Sequence, residues 1–255
     1  MANTAPQLEG PRLKIKRANE HIQDARKRVV EFFEAHPYDV FTDVDTVEQR
    51  ESLKITLSAS PPSEISIIVA EAVYQLRSSL DQLACVLAEA NGAKDTSQTY
   101  FPFAGDENEF KKRGVQNKIN MLHPEAISIL SDLKPYRGGN NLFWALGRLA
   151  NIDKHKKIIP IGSGRFGHQI KLNIYLLAGD IVQRPSSEWQ PLDKERTLFT
   201  YPAGRKIYDY EVNFVTDVAF RDADFFENKP LIEVFCQFSN LTSGIVDIFE
   251  SGFFT

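Results

Sequence analysis

The sequence predicts an α+β fold: a bundle of long helices packed with an antiparallel β-sheet. Three observations carry that expectation. Residues 63–90 keep an unbroken helical period, residues 38–58 and 158–220 switch to a period of two, and residues 230–251 return to the helical one. Helices and strands are grouped rather than alternating, which argues against a doubly wound parallel sheet.

The stretch 63–90 organises the chain. Ile65, Ile68, Val69, Ala72, Leu76, Leu80, Leu83, Ala84 and Leu87 recur at spacings of three and four and form one wide apolar face. Pro61-Pro62 block an earlier start, Ser63 suits an N-cap, and Asn91-Gly92 supply a left-handed stop. A helix of this length spans about 40 Å. Its other side carries Arg77, Ser78, Asp81 and Gln82 in mid-span.

Ahead of it, residues 1–11 read as a flexible tail. A second helix is expected over 12–35, with Ile15, Ala18, Ile22, Ala25, Val29, Phe32 and Phe33 on one face and a predominantly basic opposite side. Leu53, Ile55 and Leu57 alternate with polar residues as a half-buried strand. Val40 and Val44 suggest its hairpin partner, joined through the acidic connection 43–51.

After the long helix, Tyr100-Phe101-Pro102-Phe103 reads as a short aromatic plug. Asp106 and Glu109 have capping-box spacing before a short helix near 107–119. Pro124 opens a further helix that ends before Pro135. Gly138-Gly139-Asn140 marks a turn into a helix over about 141–154. Beyond it, strands are expected at 158–161, 169–177, 198–201 and 208–220, with Gly162, Gly164 and Gly167 as the first turn of an antiparallel meander. A closing helix is expected over 230–251, with Val234, Phe238, Leu241, Ile245, Ile248 and Phe249 facing inward. The expectation is a single domain over 12–255: mainly helical to 157, β-rich over 158–226, and closed by the last helix.

Composition excludes several function classes. A net charge of −4 gives no whole-molecule attraction to nucleic acid or anionic membranes. No window approaches ~18 consecutive apolar residues, so no membrane partner is expected. Two cysteines do not make a disulfide framework, and the N-terminal stretch lacks signal-peptide features, so a cytoplasmic setting is expected. No metal or cofactor is expected: the histidines show no ligand spacing. The Gly162–Gly167 match to G-x-G-x-x-G lies between predicted strands, with no helix to receive a phosphate.

The chemically richest stretch is the end of the helix near 154. Arg148 and His155 lie seven residues apart, nearly on one helix face, with Asn151 between them. An arginine can grip a phosphate by a forked contact, and a histidine can take or give a proton near neutrality. That pair is a minimal kit for phosphodiester chemistry. The same residues, with Asp153 and Lys154, also suit a structural role. Lys154 and its cationic neighbours favour a helix C-terminus, and Arg77 and Asp81 at i,i+4 would then join Asp153 in a polar brace between two helices. Six Lys/Arg against a single Asp over 148–171 add a basic surface that RNA or a phosphate-bearing ligand could use.

At these two stretches the chain resembles a family of uncharacterised bacterial proteins. That family pairs an L-R-S-x-L-D helix, here Leu76–Asp81, with an I-D-K-H-K/R helix end, here Ile152–Lys156. The Arg148-x6-His155 spacing is more distantly similar to the R-x4–6-H signature of HEPN ribonucleases and toxins. That resemblance implies metal-independent RNA cleavage at a helical homodimer interface, with His155 as base and Arg148 on phosphate. HEPN domains are all-α, and the position after Arg77 that would match their histidine holds Gln82. Two function classes follow: action on RNA or a phosphate-bearing small molecule, or a non-catalytic binding or assembly module braced by the same residues.

Overall fold

The computed structural model describes residues 5–153, 160–173, 190–192, 194–204, 209–220 and 229–254. Among them are seven α-helices and two three-stranded antiparallel sheets, an α+β fold. The helices are α1 (Glu9–Glu34), α2 (Glu64–Ala90), α3 (Glu107–Phe110), α4 (Arg113–Gln116), α5 (Pro124–Asp132), α6 (Asn141–Asp153) and α7 (Leu231–Phe253). The strands are β1 (Tyr38–Asp45), β2 (Arg50–Leu57), β3 (Pro160–Asn173), β4 (Gln190–Pro191), β5 (Arg196–Pro202) and β6 (Asp209–Phe220). Among the described residues no helix is long and apolar enough to cross a membrane. The chain divides into two compact units. One comprises Met1–Ala25, Ser66–Lys157 and Phe235–Thr255, and the other Arg26–Ile65 and Ile158–Val234.

The regular elements among the first unit's described residues are all helices, joined by irregular segments. Every apolar position assigned to the inner face of α2 is buried, from Ile65 to Leu87. Gly92 ends α2 with φ +91°, a conformation that costs a side-chain-bearing residue about 1 kcal/mol or more. The expected tail is a correction over 5–11. Pro6–Leu8 form a 3-10 turn, Leu8 is fully buried, and the Ala5 N–H donates to Glu250 Oε1 at 2.7 Å. Helix α1 therefore starts at Glu9, with Pro11 in the first turn, where a missing N–H costs nothing. The Pro11 carbonyl accepts from the buried Ser79 hydroxyl of α2 at 2.9 Å. Arg12 clasps α7 through Asp247 and Glu250, each at 2.5 Å. In α7 Ile248 is 48% exposed, against expectation, while Ile245 and Phe249 are buried.

The single helix expected over 107–119 is two short ones. Asp106 caps α3 by accepting from the Glu109 N–H at 2.8 Å, and Glu109 in turn accepts from the Gly105 N–H at 2.6 Å. The Gly138 turn leads into α6, where Asn140 Oδ1 accepts from the N–H groups of Leu142 and Phe143 at 3.1 and 3.3 Å.

The second unit holds both sheets. In one, β2 lies between β1 and β5; in the other, β3 lies between β4 and β6. The β1–β2 hairpin pairs Val40 with Ile55 and Thr42 with Leu53. Its turn is an aspartate turn: Asp45 Oδ1 accepts from the Val47 and Glu48 N–H groups at 2.9 and 3.0 Å. Leu53, Ile55, Leu192, Leu198, Phe199 and Tyr201 form its apolar cluster.

Two expectations are corrected here. The strands do not form a meander, because β5 adds to the hairpin while β6 returns to β3. Nor do Gly162, Gly164 and Gly167 make a turn: β3 runs through them to Asn173. A Cβ on Gly162 would stand 2.3 Å from Leu57 Cδ1, and one on Gly164 3.0 Å from Leu192 Cδ1. Close approach, rather than chain reversal, is what these two glycines provide. The register shifts between Phe166 and Ile170, around Gly167.

Candidate functional site

Helix α2 places Tyr74, Arg77, Ser78 and Asp81 at spacings of three and four, so they form a polar stripe opposite its buried face. Together with Tyr100 and, from α6, Asn151, they line a cavity of about 340 Å³ within the helical unit. Small-molecule sites typically run from ~300 to 1,000 Å³, so this one lies at the lower end.

Arg77 and Asp81 are partly buried, with side chains 21% and 25% exposed, and they meet through Nε and Oδ2 at 3.1 Å. The second carboxylate oxygen of Asp81 accepts from the Phe101 N–H at 2.9 Å. Arg77 also lies over the Phe103 ring, 4.0 Å from its centroid. Phe101 is fully buried, and its ring packs on Phe103 and Phe143 at centroid distances of 4.7 and 5.5 Å. The aromatic plug is thus pinned to α2 by one carboxylate and one guanidinium. Tyr100 is held in turn: its N–H donates to the Lys118 carbonyl at 3.2 Å, and its hydroxyl donates to the Ser97 carbonyl at 2.9 Å.

Electrostatics around the stripe are mixed. Burial, assisted by the nearby Arg77 cation, lowers the pKa of the Lys118 ammonium below the ordinary lysine range. Burial also raises the pKa of the Cys85 thiol, with Asp81 and Glu89 adding to the effect, so Cys85 is a poor nucleophile. Among the described residues no three His, Cys, Asp or Glu come together as a candidate metal site.

The residues singled out from the sequence separate accordingly. Arg77, Asp81 and Asn151 share the cavity, which brings the Leu76–Asp81 stretch of the resemblance to α6 at the residue just before the Ile152–Lys156 stretch. Arg148 is exposed on α6 and does not line the cavity. Asp153 closes α6, and Lys154 and His155 lie outside the described residues. Sequence reading missed Tyr74 and the contacts of Tyr100 and Phe103. The i, i+3, i+4, i+7 spacing of Tyr74, Arg77, Ser78 and Asp81 was the available signal for the first. Nothing local announces the contacts that tie this segment to α2, Phe101 to Asp81 and Phe103 to Arg77, because those partners stand twenty or more residues away in the chain. No family model, curated protein or solved structure matches the chain.

Proposed function

We propose that the chain is a non-catalytic binding module, with Arg77 and Asp81 as the brace that shapes the cavity along α2. Asp81 carries this reading. Both of its oxygens serve protein partners, the Arg77 Nε–H and the Phe101 N–H, while Phe103 covers one face of the guanidinium. A partly buried ion pair with satisfied hydrogen bonds fixes geometry, and removing either member leaves the other unpaired at a cost of a few kcal/mol. Two free cysteines fit a cytoplasmic setting.

Action on RNA or a phosphate-bearing ligand through Arg148 and His155 is the second reading. It draws support from the exposure of Arg148 and from the first unit, whose regular elements among the described residues are all helices, as suits the all-α HEPN resemblance. In that mechanism His155 takes the proton of a ribose hydroxyl and Arg148 offsets the developing phosphate charge. A homodimer would frame the site.

One experiment separates the two. Wild type, Asp81→Ala, Arg148→Ala and His155→Ala are incubated with single-stranded RNA in EDTA, with melting curves alongside. A binding module leaves the RNA intact in every sample, and its melting temperature drops in Asp81→Ala but not in Arg148→Ala. Cleavage that leaves cyclic-phosphate ends and falls ~10²–10⁴-fold in His155→Ala, at unchanged melting temperature, would instead establish the ribonuclease.

A further inference from the structure

We infer that the cavity along α2 is a site for a free α-amino acid, bound as its zwitterion with the carboxylate on Arg77 and the ammonium on Asp81. The inference rests on the reading of the chain as a binding module and names the ligand class of that same site.

Among the described residues the charges lining the cavity are one guanidinium and one carboxylate, side by side at 3.1 Å on adjacent turns of one helix. A bare anion that approached Arg77 would meet Asp81 as well. Unit charges 4 Å apart near a protein surface interact by about 4 kcal/mol, so Asp81 offsets attraction that Arg77 supplies. A bare cation meets the mirror-image conflict. A zwitterion does not, because each of its ends faces the opposite charge, and an α-amino acid carries those ends only one carbon apart. Both protein groups retain the chemistry for it. A guanidinium has more N–H donors than the Nε–H directed at Asp81, and a carboxylate has about four acceptor sites, of which Arg77 and Phe101 use two.

The remaining wall completes the match. Ser78 and Asn151 add an uncharged hydroxyl and an amide, able to donate and to accept. Val73, Ala150 and the rings of Tyr74 and Tyr100 give an apolar surface for a side chain. Tyr74 is 61% exposed and Tyr100 42% exposed, a large aromatic area to leave in water on either residue. An apolar amino acid that covers them would be favoured by the area removed from water. L-leucine and L-phenylalanine are therefore the probes of choice.

The test is calorimetric titration of the full chain with L-leucine and L-phenylalanine. N-acetyl-L-leucine, L-leucine methyl ester and inorganic phosphate are the controls. The expected result is saturable binding of at least one free amino acid, loss of binding when either end is blocked, and none with phosphate. Asn151→Ala, at an exposed position outside the brace, should weaken binding about tenfold while melting as wild type does. Should that variant prove unstable, Ser78→Ala probes the opposite wall in the same way. Equal binding of the blocked forms, binding of phosphate, or no heat from any free amino acid overturns the inference. RNA cleavage by the wild type would sink the binding-module reading separately. A chain that neither cuts RNA nor takes an amino acid keeps that reading and loses this one.

Discussion

Asp81 shows how far a single residue can be read from its neighbours in sequence. Its i,i+4 relation to Arg77 was legible, as was its place on the polar side of a long apolar helix. The Phe101 N–H and the Phe103 ring were not, because a loop brings them back from twenty residues on. Those unseen contacts turn a surface pair worth a few tenths of a kcal/mol into a brace. Asp81→Ala strips the Phe101 amide and the Arg77 guanidinium of a partner at once, and should cost about 1–3 kcal/mol in urea unfolding. Asp81→Asn keeps an acceptor for the amide and should cost less. Equal losses in the two variants would show that the amide contact contributes nothing. The outcome for Arg148 differs in kind: its exposure leaves it accessible to a phosphate, and Arg148→Ala should leave stability unchanged.

At the scale of elements, the long periodic stretches were the readable ones. Helices α1, α2, α6 and α7 stand where their apolar faces put them, since burying a stripe at period 3.6 leaves few alternatives. Asn140, legible in the sequence only as part of a turn, proves to cap α6, the helix that delivers Asn151 to the cavity. Asn140→Ala should lower stability by about 1 kcal/mol and weaken any ligand that depends on Asn151, both measurable on one sample. Glycine was the ambiguous letter. In a turn it supplies a backbone conformation, and in a strand it supplies room; sequence alone does not separate these. Gly162 in β3 provides room, with Leu57 filling the space a methyl would need. Gly162→Ala should therefore cost about 1–3 kcal/mol by overpacking. The double variant with Leu57→Ala should be more stable than the sum of the single losses predicts. Strict additivity would show that the contact is not the constraint.

For the whole molecule, the partition of strands into two sheets was beyond local reading. Strands such as β2 show their alternation locally, but pairing β5 with β2 and β6 with β3 joins segments about 150 and 50 residues apart, which no window of sequence records. A consequence of that pairing is a carboxylate in an unfavourable place. Asp217, opposite the buried Ser163 in β3, has its pKa pushed up to about 6 by burial, and Glu233 adds to the rise. The Val218 N–H, at 2.7 Å from Oδ1, and Arg26 oppose it only in part. An unfolded aspartate titrates near 3.9. Between about pH 4 and pH 6 the folded chain thus holds a proton that the unfolded chain releases, so through this group stability falls as pH rises across that window. Above it the ionised carboxylate is a standing penalty. Asp217→Asn keeps an acceptor for the Val218 N–H and removes the charge. It should be more stable than wild type by roughly 1–3 kcal/mol near neutrality, with the difference closing toward about pH 4. Denaturation midpoints of both proteins at several pH values across the window test this. A constant offset at every pH would show that Asp217 titrates as it does in the unfolded chain, and that burial within the sheet places no strain on its charge.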